Sequence, residues 1–276
     1  MKNIKSINGR IDILSRLLII GVCIVLIVHT KPGVAQEIPT RDWLISGSGL
    51  GIALGLELYG KSHYVPDTPK FTSPNSFDRY MRKKIWFGED QQNVARNLSD
   101  VLIYGVSMSS MLWGPALAQD HQLALLINAR VFAANSILTN IIKIGAARER
   151  PYSYFQTRET EGEKDFTSFY SGHSSVAFSQ AVANSMILSR SYPQHGDVIW
   201  TTLLGSAGLT ALLRVGGDMH YFTDIFTGAV SGSLIAWMVT RSELKKYGKY
   251  KSEVRTSLNM QGTGSNFVIS VKIPLG

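Results

Sequence analysis

Six long stretches of this chain, at 43–59, 99–118, 121–147, 173–190, 197–214 and 221–242, repeat apolar residues at helical spacing. Between them stand caps and breakers: Ser99-Asp100 at the start of the second, Ser191-Tyr192-Pro193 after the fourth, Gly216-Gly217 after the fifth. A chain patterned in this way satisfies its apolar stripes by packing helix against helix. The fold class is therefore all-α, a helical bundle of about six helices. No internal repeat or low-complexity block interrupts it. Hydrophobic residues make up 45% of the 276 and charged residues 17%, which excludes a disordered chain and provides for one sizeable core.

Two segments break the pattern. Residues 61–99 carry Pro66, Pro69 and Pro74, then the basic cluster Arg79, Arg82, Lys83 and Lys84, and read as irregular. Residues 256–276 alternate in the manner of strands, as in Phe267 to Ile273, around a turn at Gly262–Ser265. A small C-terminal β-hairpin is expected there. The resulting division is 36–98 for an N-terminal helix and irregular segment, 99–245 for the bundle, and 246–276 for the tail.

The first 35 residues read as a secretory signal peptide. Lys2, Lys5, Arg10 and Arg16 precede an uncharged apolar run from Leu17 to Val28, and Gly33-Val34-Ala35 offers small residues for cleavage. The run is shorter than the roughly 20 residues that span a bilayer, although an uncleaved anchor is the alternative. Ile20-Gly21-Val22-Cys23 does not make a lipoprotein box, because Val22 is large and the apolar run continues past Cys23. Cleavage after Ala35 removes five bases and one acid and takes the formal charge from +8 to +4, too mild a balance to imply nucleic acid. It also removes Cys23, the single cysteine, and with it disulfides and thiolate metal sites.

Membrane spans are harder to read. Stretches 101–119 and 225–240 are apolar enough, but 121–147 carries Arg130, Asn135 and Asn140, and 173–190 is rich in Ser, Gln and Asn. Mean hydropathy is only +0.05. These features favour an exported, soluble or peripheral bundle, with an integral inner-membrane protein as the alternative; the basic residues after 240 fit a cytoplasmic end.

Three segments carry chemistry. Lys143 and Arg150 lie seven residues apart at the end of a helix, two turns if the helix continues, and Pro151 ends it. Two cations held together call for an anion between them, and a planar guanidinium suits a tetrahedral oxyanion. A basic helix end meeting its own dipole is the plainer reading. Ser171-Gly172-His173 opens the fourth helix, where free N–H groups favour phosphate. Ser171 there either caps the helix or donates to phosphate, and His173 is placed to act as an acid. Last, Arg214 is followed by His220 and Asp224, four residues apart. A carboxylate bonded to one imidazole nitrogen leaves the other as a free lone pair, as a nucleophilic histidine needs.

Taken in order, Lys-x6-Arg-Pro, Ser-Gly-His and Arg-x5-His-x3-Asp resemble the type 2 phosphatidic acid phosphatase and haloperoxidase superfamily. The match is Lys143/Arg150/Pro151, Ser171/Gly172/His173 and Arg214/His220/Asp224. It departs from the family pattern at Tyr170, where proline is usual, and at Leu213, where serine is common. The resemblance implies a metal-independent phosphatase with no cofactor, hydrolysing a phosphomonoester or diphosphate, including lipid phosphates. It further implies that His220 forms a phosphohistidine and Asp224 orients it. His173 protonates the leaving oxygen, while Lys143, Arg150 and Arg214, with Ser171 and Gly172, hold the phosphate. Arg148 either joins that anion shell or is solvated on the far face. The aromatic stretch Tyr152, Tyr154, Phe155, Phe166, Phe169 and Tyr170 either contacts a lipid tail or packs its loop. Two rival readings keep the pocket and drop the hydrolysis: a vanadate-dependent haloperoxidase, and a protein that binds phosphate or lipid headgroups without turnover.

Overall fold

The computed structural model describes residues 38–66 and 68–258. Eight helices organise them: α1 Thr40–Gly55, α2 Ser76–Ile85, α3 Gln92–Leu102, α4 Ser110–Leu117, α5 His121–Ala146, α6 Gly172–Ser191, α7 Gly196–Gly216 and α8 Phe222–Leu258. A π-helical turn, Leu56–Gly60, continues α1, and another, Ile103–Met108, joins α3 to α4. Single turns at Pro151–Tyr154 and Gly162–Phe166 fold the connection between α5 and α6.

The all-α class holds, and three expectations are corrected. The expected hairpin tail is not seen. α8 runs on through Leu258, across residues that had been assigned to the tail, and no strand occurs among the described residues. Lys245 to Glu253 is rich in long charged side chains, which favour a helix. Residues 259–276, like the proposed signal peptide and Cys23, lie outside the described residues. Segment 61–99 is not irregular throughout. It contains α2, capped by Asn75, whose side chain accepts from the Asp78 N–H at 2.8 Å. It also contains the start of α3. Finally, the second expected helix, 99–118, is three pieces, bent at the π-turn and ended after Pro115.

α6 is the central rod, packed along α5, α7 and α8. Its composition explains the position. Ser174, Ser175, Ala177, Ser179, Ala181, Ala183 and Ser185 are all buried, and such small side chains let neighbours approach closely. α8 answers with Gly228 and Gly232. A Cβ on Gly228 would stand 2.7 Å from the Ser171 carbonyl oxygen, and one on Gly232 would stand 2.2 Å from that of Ser175. The two backbones therefore touch at the end of the bundle where α6 begins.

The polar residues of α5 and α6 face inward. Asn184 donates to Asn128 Oδ1 and to Ser110 Oγ at 3.0 Å each, and Ser175 donates to Asn135 at 2.5 Å. Outward faces carry Ile141, Leu209, Leu212, Phe226, Val230 and Leu234, each more than 40% exposed. Three helical segments, His121–Ala146, Pro193–Gly216 and Phe222–Tyr247, are long and apolar enough to cross a membrane. The inference from hydropathy thereby loses its ground, because polar groups that lowered the mean, such as Asn128, Asn135, Asn140, Gln180 and Asn184, are buried in the interior.

Candidate active site

Four helix ends meet at one end of the bundle: the C-terminal ends of α5 and α7 and the N-terminal ends of α6 and α8. They bring Lys143, Arg214, His173 and Asp224 together. Ala147, in the left-handed conformation at φ 42°, ends α5, so Arg150 does not continue its helix. Arg150 instead precedes the Pro151 turn in an extended conformation and returns to Lys143 through the connecting loop. Lys143 Nζ donates to the Thr167 carbonyl at 2.5 Å, and Arg150 Nη2 donates to Thr167 Oγ1 at 3.1 Å. Arg150 also donates to the carbonyls of Lys164 at 2.9 Å and Met219 at 3.2 Å.

His220 sits just before α8, in the connection from α7, and is 2% exposed. Its Nδ1 lies 2.8 Å from the Ser168 carbonyl oxygen. A carbonyl oxygen only accepts, so Nδ1 carries the proton and Nε2 keeps its lone pair. Asp224 Oδ2 is farther from Nδ1, at 3.8 Å. It accepts from Ser168 Oγ at 2.6 Å and from the Tyr221 N–H at 2.9 Å. The four-residue spacing thus does not place His220 and Asp224 on one helical face. Asp224 caps the helix start, and Ser168 stands between carboxylate and imidazole. Burial, then the charges of Arg150, Lys143 and Arg214, and His173 beside them, hold the His220 pKa well below the usual histidine value.

The remaining expected residues also gather here. His173 is in the first turn of α6, its Nε2 2.8 Å from Asp100 Oδ1, and Arg214 Nη1 donates to the same oxygen at 3.0 Å. Arg214 Nη1 donates to Ser99 Oγ as well, at 3.0 Å. Ser171 is fully buried as the N-cap of α6, accepting from the Ser174 N–H at 3.3 Å, so its hydroxyl serves the helix. The first N–H groups of that helix, those of Gly172 and His173, have no intrahelical acceptor.

Arg148 fits neither of its two expected places. Its Nη1 is 2.6 Å from Asp224 Oδ1 and its Nη2 is 2.8 Å from Asp78 Oδ2, with the guanidinium 4.3 Å over the Tyr221 ring. It fixes the carboxylate behind His220. Asp78 in turn accepts from the N–H of Thr223 at 2.9 Å and from its hydroxyl at 2.8 Å. One turn on, Arg82 grips Asp218 with both arms at 2.6 and 2.7 Å. The aromatic stretch packs its loop: Tyr152 and Tyr170 are buried, and Phe155 stacks against the Arg82 guanidinium at 3.9 Å.

Sequence reasoning missed Ser168, Thr167, Asp100, Asp78 and Arg82. Asp100 had been read as a cap at the start of a helix; nothing in its neighbourhood along the chain points to Arg214, more than a hundred residues away.

A crystal structure described as the first transmembrane PAP2 type phosphatidylglycerolphosphate phosphatase, from Bacillus subtilis, is similar to this chain. The identity is 20% and the TM-score 0.49, over 75% of this chain and 96% of that one. No curated protein sequence matches. The description of the PAP2 superfamily matches residues 124–247, which hold Lys143, Arg150, Ser171, Gly172, His173, Arg214, His220 and Asp224. These residues lie in the part of the chain that is similar to the PAP2 superfamily.

Proposed function

We propose that this protein is an integral membrane phosphatase that hydrolyses a phosphomonoester or diphosphate borne by a lipid, through a phosphohistidine on His220. The match of residues 124–247 to the PAP2 superfamily supports a phosphatase of the lipid phosphate type. The observation that carries the mechanism is the state of His220: Nδ1 committed to Ser168, Nε2 free, and three cations around it.

In the first step Nε2 attacks phosphorus, a nitrogen–phosphorus bond forms, and the bond to the leaving oxygen breaks as His173 supplies that oxygen with a proton. Lys143, Arg150 and Arg214 neutralise the non-bridging oxygens, exchanging their present carbonyl and carboxylate partners for phosphate. The imidazolium formed on His220 donates through Nδ1 to Ser168, and Asp224, tied to the Ser168 hydroxyl, offsets its charge. Water then attacks phosphorus, His173 accepts its proton, and the nitrogen–phosphorus bond breaks. Asp100 faces both His173 and Arg214 and would yield Arg214 to the substrate.

The test is hydrolysis of p-nitrophenyl phosphate and of dioleoyl phosphatidic acid in detergent micelles, with EDTA present, by wild type and His220→Ala. The expected result is turnover that survives EDTA and disappears in the variant, with the lipid preferred. Activity of His220→Ala above about a tenth of wild type would remove the nucleophile assignment.

A further inference from the structure

A groove of about 640 Å³ opens between α1, α5 and α8, near the end of the bundle remote from His220. Its residues are sorted by depth. Arg41 and Asp42 on α1, Arg130 on α5, and Glu243 and Lys246 on α8 form its charged end. Ile45, Ala133, Ile137 and Met238 carry it onward toward the middle of the bundle. The charged residues stand at the start of α1, nine residues into α5 and at the close of the apolar part of α8, and on each helix the apolar lining follows about one to two turns farther toward the His220 end. That is the polarity profile of one lipid molecule, with headgroup at the interface and chain alongside the spans.

The charged end is a built structure. Arg130 is clamped at 2.6 Å by both Asp42 Oδ1 and Glu243 Oε1, and Lys246 Nζ reaches Asp42 at 3.0 Å. Two groups are left over. Glu243 is 8% exposed, yet its second oxygen, Oε2, has no hydrogen-bond partner among the described residues. A buried carboxylate oxygen without a donor costs free energy, so the site wants one from outside. Arg41, at the rim, is exposed and has no partner among the described residues, and Lys246 is half exposed. The formal charge of the five residues is +1. An occupant therefore needs an anion for Arg41 and Lys246, an N–H donor for Glu243, and an apolar tail.

We infer that this groove binds a glycerophospholipid bearing a primary ammonium headgroup, of the phosphatidylethanolamine type, as a structural lipid separate from the substrate. The phosphate meets Arg41 and Lys246, the ammonium donates to Glu243 Oε2, and an acyl chain lies along Ile45, Ile137 and Met238. The inference rests on the membrane-spanning reading above and is independent of the chemistry at His220.

Native mass spectrometry of the full chain, extracted in detergent and supplied with dioleoyl phosphatidylethanolamine or dioleoyl phosphatidylcholine, tests it. The two lipids share a phosphate and tails, but choline has no N–H to give. Binding of the ethanolamine lipid should exceed that of the choline lipid by about tenfold, the loss expected for one charge-assisted hydrogen bond. Glu243→Gln keeps an oxygen for Arg130 and replaces the accepting Oε2 with a donor, so it should abolish the preference. Arg41→Gln, on an exposed residue that does not threaten folding, should weaken binding of both lipids. Equal binding of the two lipids by wild type, or unchanged binding in Arg41→Gln, overturns the proposal. So does a disulfide formed between Met238→Cys and Cys23, which would make the N-terminal segment the occupant. Chain that is released without detergent would instead overturn the membrane reading itself.

Discussion

At the scale of single residues the site depends on how one imidazole is held. His220 is buried among cations that disfavour its protonation, so its neutral, attacking form persists as pH falls below the usual histidine range. The sign follows directly: a lowered pKa moves the acid limb of kcat/KM to lower pH, and activity is kept as pH falls through the usual histidine range. After burial, Arg150 is the largest influence on that nitrogen. Arg150→Met should therefore lower the rate about 100-fold, as loss of one oxyanion contact does, and also move the acid limb upward. A pH profile of kcat/KM for the two proteins checks this. A variant that is slow but whose limb stays put would show that Arg150 binds phosphate without setting the state of His220. The sequence made much of this visible. Lys143, Arg150, His173, Arg214, His220 and Asp224 all belong to the gathered site. Their spacing along the chain misled only about the geometry, since the Asp224 carboxylate is engaged at the start of α8 and Ser168 contacts the imidazole.

At the scale of elements, α2 is what the sequence concealed, and it is the buckle of the site. Its signal was present: Asn75 with Asp78 three residues later is a helix start, but three nearby prolines and the basic cluster outweighed it. Its function was not legible, because the partners of Asp78 and Arg82 are more than a hundred residues away for Thr223 and Asp218. Asp218 lies in the connection that bears His220, is fully buried, and adopts φ 57°. Arg82 holds it from between the rings of Trp86 and Phe155, at 4.2 and 3.9 Å. Arg82→Met would leave a buried carboxylate with its main partner gone, a loss of about 3–5 kcal/mol. Thermal unfolding in detergent should show that destabilisation. Arg82→Lys should recover little of it, since an ammonium supplies neither the two-armed bond nor the stacking plane. A midpoint for Arg82→Met equal to wild type would mean that the connection is held by Thr157 and the backbone alone.

At the scale of the whole molecule, polarity is turned outside in. Asn128, Asn135 and Asn184 bond within the bundle while Phe226, Val230 and Leu234 face outward, an arrangement that a water-soluble bundle would reverse. Composition alone averages the two faces, which is why hydropathy pointed to a soluble protein. With α5, α7 and α8 as spans, the four helix ends that make the site fall at one membrane surface. That is the depth at which a lipid carries its phosphate, and a cluster of cations there needs no path through the hydrocarbon. The prediction is that the chain stays with membranes through alkaline carbonate washing and is released only by detergent. Leu234→Arg, on the outer face of α8, should then lower the amount inserted, because an arginine at mid-span costs about 2.5–3.5 kcal/mol on insertion scales. Both results together would place α8 in lipid. Recovery of active protein in the carbonate supernatant, with Leu234→Arg expressed as well as wild type, would mean that the outward apolar faces meet another protein instead. The site would then have to receive its phosphate from solution.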